Sequence, residues 1–471
     1  MKRIHLVILT GFIASSIISS CKVGQNYQRP SVQLPEKFET TAFADTSSIA
    51  DLEWNKFFTD TTLRNLIERG IKYNYDLQIA MKNIDVAQQR LKEAKLLQLP
   101  EVNLQVSAQY NRPSKNSLSG LSSSGFLGSN HIETYNANLG LSWEADIWGK
   151  IRRQKEASVA AYLQTYEATK AVQTSLVADI AQGYFNLLML DKQLRITRQN
   201  LRLNDTTLRL TQLLKDAGEV TLLAVQQADA QRQTTTLLIP RLEQQIAIQE
   251  NVLQVLTGQL PGNLTRSSTL DNTTVEETST TGLPAALISR RPDVRANEMA
   301  LMSANAQVGI AQAYMYPSLV LSASGGVESL KASNWFSVPA SLFGIANGSV
   351  FQPLFNHRAL KTQFEVEKVQ RDQAVAQFRQ SVLNAVMEVD NALVQTDKLE
   401  QQRELANSQV ETLRKAVKNA QLLFKSDMAN YLEVITAQRN ALLSELDLAS
   451  IQRDQLDAKI ELYRSLGGGW K

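Results

Sequence analysis

Two periodicities alternate along the chain. Residues 101–110 keep period two without a break: Val102, Leu104, Val106, Ala108 and Tyr110 share one face, and Glu101, Asn103, Gln105, Ser107 and Gln109 the other. The stretch 135–146 repeats the pattern, with Tyr135, Ala137, Leu139, Leu141 and Trp143 opposite Asn136, Asn138, Gly140, Ser142 and Glu144. Runs of this length suit transmembrane strands with one face to lipid and one to a wet lumen, and they suit a half-buried soluble sheet equally. A Ser/Gly/Asn-rich stretch, 111–134, separates them and reads as an exposed outer loop. Two more strands are predicted at 318–328 and 341–353, blurred by Gly325, Gly326, Gly344 and Gly348.

Between the strands the period becomes helical. Long helices are predicted at 149–216 and 357–426, shorter returning ones at 222–258 and 431–466, and another at 291–316. Neither long segment contains a proline; residues 150–216 hold one glycine, Gly183, and 357–426 none. At about 1.5 Å per residue each would make a rod of roughly 100 Å, too long for a compact domain. Ile180, Leu187, Leu194, Leu201 and Leu208 stand seven apart, as do Ile435, Leu442, Ala449, Leu456 and Tyr463. Val410, Leu413, Val417, Ala420 and Phe424 keep the 3,4 spacing. Such seams imply rods packed along their length. A filament or spacer would share them, but would not interrupt its rods with paired strands at matching places.

The places match because the pattern occurs twice. AKLLQLPEVNL (94–104) is answered by AQAYMYPSLVL (311–321), each a helix ending at a proline that opens a strand. Asp191-Lys192 and Gln212-Leu213-Leu214 return as Asp397-Lys398 and Gln421-Leu422-Leu423. The chain therefore divides into repeats 51–282 and 283–471. Four strands cannot close, and an open edge in lipid leaves backbone groups unsatisfied. Two chains would give about eight strands and three about twelve. The polar faces carrying Asn103, Gln105, Asn136 and Asn138 favour the larger, wet barrel.

Composition removes most other functions. The 471 residues carry 49 Lys and Arg against 46 Asp and Glu, a formal charge of +3, and Lys2 and Arg3 belong to an expected leader. No basic excess remains for a nucleic-acid partner. Three histidines (His5, His131, His357) and one cysteine leave little for metal clusters or Cys/His catalysis. A mean hydropathy of −0.22 does not suit a polytopic helical membrane protein. No GxxxxGK[ST] phosphate loop is present, so no nucleotide-driven activity of that kind is expected. No enzyme activity, cofactor or metal is expected.

Residues 1–20 read as a signal peptide: Lys2 and Arg3 precede an apolar run, 6–18, too short to span a membrane. Ile18-Ser19-Ser20-Cys21 resembles a bacterial lipobox. Cys21, the sole cysteine, is then the expected attachment point for diacylglycerol and a fatty acyl chain such as palmitate, followed by an extended segment, 21–50. Lys22, in place of an inner-membrane retention Asp, points to the outer membrane.

Three motifs carry a family resemblance: LSWEADIWGKIR (141–152), GLPAALISRRPDVRANEMALMSANAQVGIAQAYMYPSLVL (282–321) and YRSLGGGW (463–470). With the opening helices at 54–83, they resemble the lipoprotein, or NodT-type, branch of the TolC-like outer-membrane factors over essentially the whole mature chain. The resemblance implies an α+β membrane protein and a homotrimer. Long α-helices would form a trimeric α-barrel in the periplasm, four strands per protomer a twelve-stranded β-barrel in outer-membrane lipid, and a small mixed region an equatorial belt. It implies as partners a periplasmic adaptor and an inner-membrane transporter, commonly of the resistance-nodulation-division class.

In that family the duct closes where each long helix turns into the returning one, here 215–223 and 425–434. The resemblance makes Asp216, Gly218, Glu219, Asp427, Leu432, Glu433, Thr436 and Arg439 gate candidates. Gly218 suits a left-handed turn, and Asp427 stands where the family usually has glycine. Leu432 matches a leucine that narrows the duct, and Glu433 keeps an acid near the tip. Ala224 and Thr436 occupy positions often acidic in relatives. An acidic ring would favour cations in a narrow opening; the same acids read equally as solvated turn charges. Arg439 could pair with an acid across helices and latch a closed state. Arg290-Arg291-Pro292-Asp293 reads as a helix start, with proline in the first turn and an acid beside it. The lipobox and the GGGW ending favour small-molecule efflux over protein export by a type I secretion system. A non-conducting, periplasm-spanning lipoprotein is the rival from another class.

Overall fold

A computed structural model describes residues 23–36, 38, 48–119, 121, 125, 128–275 and 284–471. The expected signal peptide, Cys21 and parts of the 111–134 loop lie outside them. In chain order the main elements are α1 (Thr61–Tyr73), α2 (Tyr75–Leu96), β1 (Glu101–Asn111), β2 (Ile132–Ala145), α3 (Lys150–Asp216), α4 (Leu222–Leu256), α5 (Pro292–Ala313), β3 (Ser318–Ser329), β4 (Leu342–Phe351), α6 (Ala359–Lys425) and α7 (Tyr431–Ser465). The two long helices are each 67 residues, and the two returning helices each 35. α5 stops at Ala313, short of the predicted 316, and Tyr314 to Tyr316 form the turn before Pro317. The residue before a proline is pushed out of the helical region, so the same device starts β3 after Pro317 and β1 after Pro100.

Two compact units are present, and neither is a sequence repeat. One takes Asp85–Leu163, Met299–Ala376 and the described residues up to Pro30; the other takes Ser31–Ile84, Gln164–Glu298 and Gln377–Lys471. The division cuts across the duplication because the strands of both halves share one sheet. Its order is β1-β2-β3-β4, antiparallel throughout. Leu104 faces Leu139, Leu139 faces Gly325, and Gly325 faces Gly344. Gly326 is required by close approach: a Cβ there would lie 2.1 Å from the Ala137 carbonyl oxygen.

In the second unit, Asp60 opens α1 by accepting from the N–H groups of Thr62 (2.7 Å) and Leu63 (3.0 Å). Leu63, Leu66, Ile67 and Gly70, spaced for one helical face, are buried. The other Asp60 oxygen accepts from the buried Tyr184 hydroxyl at 3.0 Å. Tyr463 stacks on Phe57 at 4.2 Å between centroids and donates to the Leu52 carbonyl at 2.7 Å. Arg291, 3% exposed, donates to both Asp293 oxygens, to Glu388 at 2.8 Å and to the Ser465 carbonyl at 3.2 Å. Arg291 thereby ties the start of α5, where Pro292 is the first residue, to α6 and to the end of α7. Burial pushes the Asp293 carboxyl up, but the hydrogen bonds and charge of Arg291, with backbone N–H donors, together outweigh it and hold the group below the usual carboxylate range.

Candidate functional site

Both long helices end in one backbone figure. At the first turn the Glu219 N–H donates to the Leu214 carbonyl at 2.9 Å and the Gly218 N–H to that of Lys215 at 3.0 Å. At the second, the Met428 N–H donates to Leu423 at 2.8 Å and the Asp427 N–H to Phe424 at 3.3 Å. This pair of bonds closes a helix through one left-handed residue, and Gly218 and Asp427 fill that position with φ of +82° and +58°.

Their side chains differ. Asn430 caps α7, accepting from the N–H groups of Leu432 (2.9 Å) and Glu433 (3.1 Å), while the Glu433 carboxylate accepts from the Asn430 N–H at 3.2 Å. Glu433 is therefore engaged with its own helix start. Thr221, at the same place before α4, makes no side-chain cap, and Ala224, the counterpart of Glu433, is buried. Asp216, Glu219, Leu432, Glu433, Thr436 and Arg439 are all exposed. Asp216 pairs with Lys215 at 3.0 Å, and that hydrogen bond holds its carboxyl below the usual range. Arg439 makes no ion pair among the described residues.

Away from the turns, the hairpins depart from the predicted seam. Ile180 and Leu187 are fully buried, but Leu194, Leu201 and Leu208 are only half-buried. Beyond residue 190 the buried stripe of α3 passes to Thr197, Asn200, Asn204, Thr207 and Thr211. Asn204 donates to Thr235 of α4 at 2.7 Å, Asn200 to the Gln438 carbonyl of α7 at 3.2 Å, and Gln438 to Thr207 at 2.9 Å. The 3,4 spacing of these Asn and Thr residues was the available signal, and the adjacent leucines outweighed it. In the second hairpin, Ile435, Leu442, Ala449, Leu456 and Tyr463 are all buried as their spacing predicts.

The sheet inverts ordinary burial. Val102, Leu104 and Val106 are 62, 70 and 62% exposed, and the outer edges of β1 and β4 pair with no strand among the described residues. No helix among them is long and apolar enough to cross a membrane, and no three His, Cys, Asp or Glu residues converge to hold a metal.

The family model for outer membrane efflux proteins matches residues 66–259 and 283–468. The chain belongs to the outer membrane efflux protein family. This efflux protein is 26% identical over 469 residues to the cation efflux system protein CusC of Escherichia coli, covering 98% of this chain and 99% of CusC. It is 29% identical over 473 residues to the toluene efflux pump outer membrane protein TtgF of Pseudomonas putida, covering 97% and 96%. Among solved structures, the outer-membrane channel OprN matches with a TM-score of 0.87 at 28% identity, over 96% of this chain and all of OprN. A CusC structure matches at 0.83 and 26% identity, over 95% of this chain and all of that one. The efflux protein thus shares their fold from its opening helices to the GGGW ending, and the interval between its two matched stretches falls where the repeats divide.

Proposed function

We propose that this protein is the outer-membrane exit duct of a tripartite efflux pump, passively conducting small molecules delivered by a periplasmic adaptor and an inner-membrane transporter, commonly of the resistance-nodulation-division class. The observation that carries the reading is the four-stranded sheet, with its exposed apolar face and two unpaired edges. In lipid such edges must be paired. Three copies joined edge to edge would close a barrel of about twelve strands, wide enough for a wet lumen, so the duct is a homotrimer. Cys21 anchors each protomer through its acyl chains in the outer membrane, and the long helices extend into the periplasm.

Cargo is not set by this chain. Similar proteins are named for cations in one case and toluene in another, which fits selection by the partnering pump. At the turns, an acid of a neighbouring protomer is the partner left for Arg439, which supports a latch across copies. Glu433 supports an acidic constriction less, since its carboxylate already serves the α7 cap.

Purified protein added to a planar lipid bilayer is expected to give discrete ion conductance with trimeric mass. A non-conducting particle would sink the duct in favour of a structural lipoprotein. Arg439→Ala is expected to raise the closed-state leak; an unchanged leak counts against the latch. Loss of palmitate labelling in Cys21→Ser checks the anchor.

A further inference from the structure

Within the first unit the segment 23–30 is clamped to α3 and α5. Arg153, 5% exposed, donates to the Gly24 carbonyl at 2.9 Å and to Asn26 Oδ1 at 3.0 Å. Asn305 of α5 donates to the Gln25 carbonyl at 3.0 Å. Beside the clamped segment lies a cavity of about 510 Å³ whose lining includes Arg152, Arg153, Lys155 and Glu156, over an apolar floor that includes Val159 and Met302. Glu156 is its one acid, and Arg153 holds that carboxylate at 2.6 Å. The nearby Asp146 carboxylate is occupied by the N–H groups of Ile151 (2.9 Å) and Arg152 (3.0 Å). Arg152 and Lys155 have no ion pair among the described residues. Two uncompensated cations over an apolar floor attract an anion more strongly than the same charges in open water.

The level of the cavity identifies that anion. α3 follows β2 after a short turn and starts at Lys150, so Arg152 and Lys155 stand about 3 and 8 Å along it. The headgroup layer beyond the hydrocarbon core is about 5–8 Å deep on each side. Aromatic residues mark the same boundary: Trp148 stacks on Tyr316 at 4.8 Å and Lys150 sits 5.0 Å from the Tyr314 ring centre, as in an interfacial belt. We propose that this cavity binds the phosphate of an anionic phospholipid of the periplasmic leaflet, with Arg152 and Lys155 as its cations. The proposal rests on the sheet being the membrane-spanning part of the duct.

The test reconstitutes the full-length protein with phosphatidylglycerol and phosphatidylethanolamine in equal amounts, and counts retained lipid by native mass spectrometry after detergent extraction. Wild type is expected to retain phosphatidylglycerol preferentially, by roughly fivefold per cation engaged. The Arg152→Gln, Lys155→Gln double variant should lose the preference, and Arg414→Gln, which removes a charge from the distant part of α6, should not. If the double variant fails to fold, Glu156→Gln, which removes the competing acid, is expected to sharpen the preference. Equal retention of both lipids overturns the proposal, and so does displacement of the lipid by inorganic phosphate alone, which would make this a free-anion site. Conductance of the same preparation separates the two readings: a conducting trimer without lipid preference removes only the lipid site.

Discussion

The two helical hairpins are copies of one plan with equal helix lengths, yet they are stabilised differently. The first, α3 with α4, has a proline inside its returning helix, a buried stripe of Asn and Thr, and an uncapped turn. In the second, the returning helix α7 starts from a full capping box, and α6 and α7 share a buried cluster of Ala406, Val410, Leu448 and Ile451. Chain geometry has been kept while its chemical support has shifted. Both hairpins leave buried polar atoms without a partner, Asn204 Oδ1 in the first and Gln438 Oε1, Ser444 Oγ and Asp457 Oδ1 in the second. The second is better satisfied at its turn, and its seam is the more apolar.

Exchanging residues between equivalent positions should break this contrast. Pro240 and Ala449 lie equally far from the starts of α4 and α7, and Ala449 is fully buried. Ala449→Pro removes a helical hydrogen bond and clashes with the preceding turn, costing about 3 kcal/mol or more. Pro240→Ala should act in the opposite direction and more weakly, by about 1 kcal/mol, because α4 has already adapted to its proline. Thermal unfolding followed by far-UV circular dichroism reads both. An unchanged midpoint for Ala449→Pro would mean that α7 does not depend on its regular backbone.

The seams come next. Val410→Asn places an amide in an apolar cluster and should cost about 3 kcal/mol, from lost burial together with an unsatisfied polar group. Asn204→Val should change stability by no more than about 1 kcal/mol. It removes one orphaned oxygen, but deprives Asn200 Oδ1 and Thr235 Oγ1 of the donor they now have at 3.2 and 2.7 Å, the Thr235 hydroxyl keeping its own bond to the Gln231 carbonyl. Comparable losses in both variants would show that the polar stripe is packed as productively as the apolar one.

Much of this plan was readable before any coordinates. Unbroken period-two alternation fixed the place of β1, and proline at residues 100 and 317 fixed the starts of β1 and β3. Long proline-free runs fixed α3 and α6, since one interaction repeats along the whole element. The polar stripe was harder, because Leu194, Leu201 and Leu208 run beside Thr197, Asn204 and Thr211 and hydrophobicity alone favours the leucines. What buries the polar set is its hydrogen bonding to α4 and α7, a tertiary property that one helix does not reveal. The left-handed residues were legible as turn chemistry. The use of Glu433 as a cap is masked by its likeness to a free turn acid, although Asn430 stands three residues before it in the order a capping box requires.

Carboxylates shielded from water, Glu250 buried and Asp457 half-buried, sharpen the contrast in the other direction. Glu250 in the first hairpin is held by Arg266 at 2.5 Å and by the Leu264 N–H at 3.2 Å. Asp457 in the second is pushed up to about 7 from an ordinary 3.8 by burial, with Asp454 adding to the shift and Arg453, at 3.2 Å, opposing it. The folded state then holds the proton more tightly than the unfolded chain. The contribution of this group is fully present below about pH 4 and is lost as pH rises through about 7. Asp457→Asn should therefore stabilise by about 2 kcal/mol near pH 8 and have little effect near pH 4. Arg453 keeps Asp454 as a partner at 2.9 Å. Unfolding midpoints across that range check the sign, and a gain that does not vary with pH would exclude proton linkage at Asp457.

The smallest expected difference lies at the turns. Asn430→Ala removes both cap bonds to the start of α7 and should cost about 1 kcal/mol, whereas Thr221→Ala should cost almost nothing, because the Thr221 hydroxyl caps no helix. Hydrogen exchange resolved to the first turn of each returning helix is the suitable measurement, since a local loss of this size barely moves a global midpoint. Exchange at Leu432 and Glu433 should accelerate several-fold in Asn430→Ala, and exchange after Thr221 should stay at its wild-type rate in Thr221→Ala. The same variant also frees the Glu433 carboxylate from its reciprocal bond. If ion conductance rises together with faster exchange, that acid belongs to the duct once released. If exchange quickens while conductance holds, Glu433 serves the helix alone and the constriction must be built from other residues at the turns.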